Sequence, residues 1–276
     1  MTPSSPGFAR RMLPDTDLVY VVEALGLTGE SLADLRESLA ADESRRAEVI
    51  GDERLFERVM ASDDTFMRIT PRLFFEVLLR RALQDLAHAA HVLERSGRDR
   101  VPLFLSEDEV RIVSRPIVID YLADMLTSFT KVHSHTARVR VRRGVWRKSR
   151  YSDLDVPSLL RLASESDDAD RLRVFKRAAD ACLLILGIFP DFAATATRYP
   201  GTGALRRRGA RLSTEDYEAI AAKVYRAAAE HPAAPQSLAR PMLLLSENVI
   251  DAKRPLTFMA DHYLRFHRDD LFGFAA

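Results

Sequence analysis

Only one cysteine, Cys182, occurs among the 276 residues. A single thiol forms no internal disulfide, so no disulfide framework staples the chain, and a reducing, cytoplasmic compartment is the expectation. Cys182 lies in Ala181–Phe189, the longest apolar run, of nine residues. A membrane span needs about twenty, so the run reads as a buried helix and no membrane partner is expected. Residues 1–14 contain Pro3, Pro6, Gly7 and Arg10–Arg11 with no apolar targeting core behind them, and read as a disordered tail.

Glycine is sparse, at 11 residues, and the phosphate-cradling motifs that depend on it are missing. Gly201-Thr202-Gly203 is followed by arginines and lacks the Gly-Lys-Ser/Thr of a Walker loop, and no G-x-S-x-G elbow occurs. Histidine, cysteine and carboxylate spacings do not converge on a metal. His88 and His91, flanked by Asp85 and Glu94, repeat every three residues and drift around a helix. Asp120 and Asp124 share a helix face but read as a solvated edge. No cofactor or metal is expected, and no catalytic residue is assigned.

Net charge is only +1, which excludes polyanion binding by bulk charge alone. Charge is nevertheless uneven. Glu23 to Asp64 holds twelve acidic residues against five arginines, whereas Met125 to Ser152 has no Asp or Glu and eight Lys or Arg. Of 41 basic residues 36 are Arg, a bias that a GC-rich genome also produces.

Apolar residues make up 47% of the chain, enough for a sizeable core. Helical periodicity recurs through 17–41, 44–61, Pro71 to about Arg95, 116–131, 156–166, 169–188, Ser213 to about Glu230, 236–252 and 255–267. Thr70-Pro71 and Ser213-x-x-Asp216 are start signals. A short strand is expected at Glu109–Val113, and 199–212 reads as a basic loop. Arg138-Val139-Arg140-Val141-Arg142 alternates with period two, and Val145 to Tyr151 resumes after Arg143-Gly144, the pattern of a β-hairpin. The fold class expected is all-α: a multi-helix globular domain with one inserted basic β-hairpin. Residues 15–276 form a single helical domain, divisible into halves 15–135 and 152–276 joined by the hairpin at 136–151.

A two-residue Arg143-Gly144 loop would set Val141 opposite Trp146, Val139 opposite Lys148 and Arg140 opposite Arg147. Like charges facing each other on a ribbon are destabilising unless an acidic partner neutralises them. Phosphate is one such partner. Arg138, Arg140, Arg142, Arg143, Arg147, Lys148 and Arg150 are the candidate nucleic-acid-binding residues, with Trp146 as a stacking contact. Arg206, Arg207, Arg208 and Arg211 supply a second phosphate contact. A helix at 116–131 followed by this hairpin resembles, in arrangement only and over about 36 residues, the helix-plus-wing part of winged-helix DNA-binding domains.

The leading expectation is a non-enzymatic protein that binds DNA or RNA through the basic hairpin. The first alternative is a helical interaction or scaffold module, its hairpin meeting the acidic stretch of the same chain, a second copy or another acidic protein. The second is a helical ribonuclease. Arg81…His88 and Arg226…His231 are similar to the arginine-then-histidine spacing of HEPN ribonucleases, though roughly 2.7 such matches arise by chance in a chain this rich in arginine.

Overall fold

The structure, a computed structural model, describes residues 12–61, 65–88, 92–96, 99–103, 107–130, 134–142, 145–152, 154–193, 212–265 and 267–272, with the backbone alone over the strands. The chain divides into two compact units, residues 1–130 and 131–276.

In the first unit, short polar side chains set the helix starts. Ser31, Asp42 and Asp52 accept from the backbone N–H groups of Asp34, Ser44 and Arg54. They open α2 (Leu32–Ala41), α3 (Glu43–Ile50) and α4 (Glu53–Met60), behind α1 (Asp15–Leu25). Gly26, at φ 65°, ends α1 in the left-handed conformation that glycine adopts most readily. After α5 (Thr65–Arg68) comes α6 (Pro71–His88), where the N–H of Leu73 donates to Thr70 Oγ1 at 3.3 Å. Helix α6 is the unit's core. It buries Leu73, Phe75, Leu78 and Leu79 on several sides and packs against α3, α4, α7 (Glu107–Val113) and α8 (Pro116–Phe129).

The second unit is organised around α10 (Asp168–Ile188), opened by Asp167. It packs on α9 (Val156–Glu165), α11 (Thr214–Ala229) and α13 (Val249–His262), while α12 (Gln236–Glu247) lies against α11 and α13. Helix α14 (Arg268–Leu271) follows. The expected capping box is present: Ser213 accepts from Asp216 N, and Asp216 accepts from Ser213 N. Gly187 lets α10 approach Leu256 of α13 closely, because a Cβ there would overlap that side chain.

The fold class is all-α, and the expected inserted β-hairpin is corrected from a fold element to a side feature. The buried residues that hold each unit together come from helices almost throughout. Among the described residues the strands form only two isolated two-stranded ladders, β1 (Val92–Ser96) with β2 (Asp99–Leu103) and β3 (Ser134–Arg142) with β4 (Val145–Ser152). A two-stranded ribbon has too little surface to build a core of its own. Local corrections follow from backbone preferences that apolar spacing does not register. The helix from Pro71 stops at His88 rather than Arg95, since Val92–Ser96 pairs as a strand. The expected strand at Glu109–Val113 lies within α7. The stretch 44–61 breaks at Gly51-Asp52, and 236–252 breaks at Asn248.

Candidate nucleic-acid interface

The antiparallel β3–β4 ladder brings most of the basic candidates onto neighbouring strands. Arg138, Arg140 and Arg142 lie on β3, and Trp146, Arg147, Lys148 and Arg150 on β4. The register differs from the expected one. Arg142 pairs with Val145, but a bulge at Val141 shifts the rest by one residue: Arg140 pairs with Trp146, Val139 with Arg147, Arg138 with Lys148 and Thr136 with Arg150. A bulge of this kind is invisible to period-two counting, and a one-residue slip exchanges the faces of a ribbon. The anticipated Arg140/Arg147 pairing is thereby removed, and Arg138↔Lys148 becomes the like-charge register pair. Strand β3 borders α9. Arg143, Arg206, Arg207, Arg208 and Arg211 lie outside the described residues, as do His91 and His133.

Six of the twelve acids in the stretch Glu23–Asp64 are paired locally. Glu23 pairs with Arg58 and Arg68, Glu30 and Glu48 with Arg45, Glu43 with Arg80, Asp52 with Arg54, and Glu53 with Arg81. Asp15 pairs with Arg36. All of these partners belong to the first unit.

A buried ionic cluster is the chemically densest part of the first unit. Glu76, fully buried on α6, accepts from Arg46 Nε and Nη2 at 2.6 Å each, from Arg72 Nη1 at 3.0 Å and from Arg80 Nε at 3.1 Å. Arg72 also donates to Asp120 at 2.6 Å and Asp124 at 2.9 Å, so the two carboxylates expected on a solvated edge clamp a buried guanidinium. Burial works to raise the Glu76 pKa. The Arg46 hydrogen bonds and the charges of Arg46, Arg80 and Arg72 outweigh it and pull the group down to about 2. Asp120 moves the other way: burial, then the charge of Glu76, leave its pKa raised despite Arg72. Asp17, buried and accepting from Thr70 N and Oγ1, is also raised, by burial. The apolar spacing of α6 had suggested only a core helix. The signal in the sequence was Arg72-x-x-x-Glu76-x-x-x-Arg80, with charges four residues apart on one helix stripe.

In the second unit, Asp180 is buried and accepts from Lys176 Nζ at 2.6 Å and Tyr225 Oη at 2.9 Å. Cys182 is buried beside it; burial, then the charge of Asp180, push its thiol pKa up, which is unlike an activated nucleophile. The two arginine–histidine pairs are engaged in ordinary helix contacts. Arg81 binds Asp85 and Glu53, and His88 Nδ1 lies 2.7 Å from the Gln84 carbonyl. Arg226 lies 3.6 Å from Glu247, and His231 Nδ1 accepts from Ala233 N. Among the described residues there is no His/Cys/Asp/Glu group suited to a metal, and no helix long and apolar enough to cross a membrane.

The unit boundary also divides the charge. Residues 1–130 carry 16 basic and 23 acidic residues, a net of −7, and residues 131–276 carry 25 and 17, a net of +8. No family model, curated protein or solved structure matches the chain.

Proposed function

We propose that this chain is a non-enzymatic nucleic-acid-binding protein whose second unit engages the phosphate backbone through the basic segment around β3 and β4. The observation that carries the reading is the concentration of eight Lys or Arg, with no Asp or Glu, between Lys131 and Ser152, inside a unit whose net charge is +8. Glu23, Glu30, Glu43, Glu48, Asp52 and Glu53 have arginine partners within their own unit, which supports a counterpart from outside the chain for these cations. Arg138, Arg140, Arg142, Arg143, Arg147, Lys148 and Arg150 contact phosphates, Trp146 stacks on a base, and Arg206–Arg208 with Arg211 add a second phosphate contact. Backbone contacts carry no sequence information, so base preference is weak and salt dependence steep.

The test is fluorescence anisotropy with labelled single- and double-stranded DNA and RNA. With four phosphates neutralised, a fourfold rise in salt weakens binding by about 150-fold, at a slope of about 0.9 per contact. Arg138→Ala/Arg140→Ala/Arg142→Ala/Arg147→Ala flattens that slope while leaving the helical circular dichroism unchanged. Affinity that ignores salt, or survives the four substitutions intact, refutes the proposal.

A further inference from the structure

The opposite charges of the two units reach beyond nucleic acid. Six charged side chains of the first unit are buried among the described residues: Arg46, Arg72 and Arg80 against Asp17, Glu76 and Asp120. They cancel, so the interior consumes none of the acid excess. The remaining side chains of that unit with a described burial number thirteen acidic and eight basic, a net of −5 outside the interior. The stretch from Glu30 to Met60 accounts for it, with nine acids outside the interior against four arginines. Glu37 on α2 and Glu57 on α4 are exposed and make no ion pair among the described residues. In the second unit the positive excess is carried by the eight Lys or Arg from Lys131 to Arg150 and by Arg206–Arg208 and Arg211, all outside the described side chains.

We infer that the acidic surface of the first unit docks on the basic segment of the second unit in another copy of this chain, occupying the face proposed above for nucleic acid. The inference rests on that reading of the basic face and adds its regulation. Two surfaces of opposite sign and similar magnitude attract at low ionic strength and steer encounter. The contact joins different patches on the two copies, so it is head-to-tail and extends beyond a dimer unless it closes into a ring. A polyanion and a second copy compete for one set of arginines, and nucleic acid dissolves the assembly.

Sedimentation velocity on the full chain, over a range of concentrations and at about 0.05 M and about 0.5 M salt, reads the contact directly. The weight-average mass rises with concentration at low salt and returns to the monomer at high salt. Glu37→Lys/Glu57→Lys takes the first unit from −7 to −3 and raises the self-association constant, as Kd, about tenfold or more. Glu37→Gln/Glu57→Gln gives a smaller shift in the same direction and guards against a fold defect from the reversal. Adding an unlabelled oligonucleotide to the native chain restores the monomer. A monomer at every concentration, or an assembly indifferent to salt and to both pairs of substitutions, overturns the inference. Nucleic-acid binding by such a monomer leaves the proposed function intact. Salt-sensitive assembly by a chain that binds no oligonucleotide sinks the function and leaves the contact standing.

Discussion

Glu76→Gln is the substitution for which the structure predicts the largest effect on stability. The native carboxylate accepts four hydrogen bonds from three guanidinium groups, all within 3.1 Å and all away from solvent. Glutamine keeps one acceptor oxygen, turns the other into a donor aimed at arginine, and removes the charge that compensates three buried cations. Removing one partner of a buried ion pair costs about 3–5 kcal/mol. Linkage gives a consistent figure: a fall from 4.5 to about 2 in the folded chain corresponds to about 3 kcal/mol. Because the folded pKa is depressed, this stabilisation is present above the ordinary glutamate value of 4.5 and disappears as pH falls towards 2. The assay is urea unfolding followed by far-ultraviolet circular dichroism, because the lone tryptophan, Trp146, lies in the other unit. At an m-value of about 1.5–2 kcal/mol/M, the first unit's midpoint falls by about 1.5–2 M, and the difference from native narrows at acid pH. Asp120→Asn is the matched control. Its raised pKa marks a charge that folding disfavours, so it shifts the midpoint much less. A shift under about 0.5 M for Glu76→Gln refutes the claim that this carboxylate holds the cluster together.

Gly187→Ala gains helix propensity but places a methyl 2.9 Å from Leu256 Cδ1; overpacking of about 1–3 kcal/mol outweighs the gain, and a second-unit midpoint that stays level or rises contradicts the close approach of α10 and α13. Cys182, buried and with its thiol pKa raised, reacts with a disulfide reagent at neutral pH only after denaturation; rapid labelling of the native chain overturns that placement.

Much of the helical plan was legible because its signals are local. Thr70-Pro71 and Ser213-x-x-Asp216 satisfy or anticipate the unpaired N–H groups of a first turn, and a reader of the sequence needs nothing else to place those starts. The ends were harder. Apolar spacing runs through Val92 and Leu93 without a break, and only strand pairing with Val101–Leu103 decides against helix there. The candidate site was half legible. Alternating Arg and Val from 138 to 142 announced a paired ribbon, but the bulge at Val141 depends on how the turn closes and moved every register pair beyond Arg142.

The buried cluster was illegible for a different reason. Arg46, Glu76 and Asp120 are far apart in sequence, and each, taken singly, looks like a residue for a solvated face, since arginine and carboxylates are seldom buried alone. What permits their burial is the set: two oxygens of Glu76 meet three guanidinium groups, and Arg72 turns its remaining donors to Asp120 and Asp124. On the proposed reading, arginine abundance serves two opposite ends in this chain. In the first unit it neutralises carboxylates one by one, in the interior and at the surface. In the second unit the run from Lys131 to Arg150 has no carboxylate within it in sequence, and the proposed phosphate contact rests on that pattern. Composition counts the two uses alike; only the pairing, residue by residue, separates an arginine that holds helices together from one that can hold a phosphate.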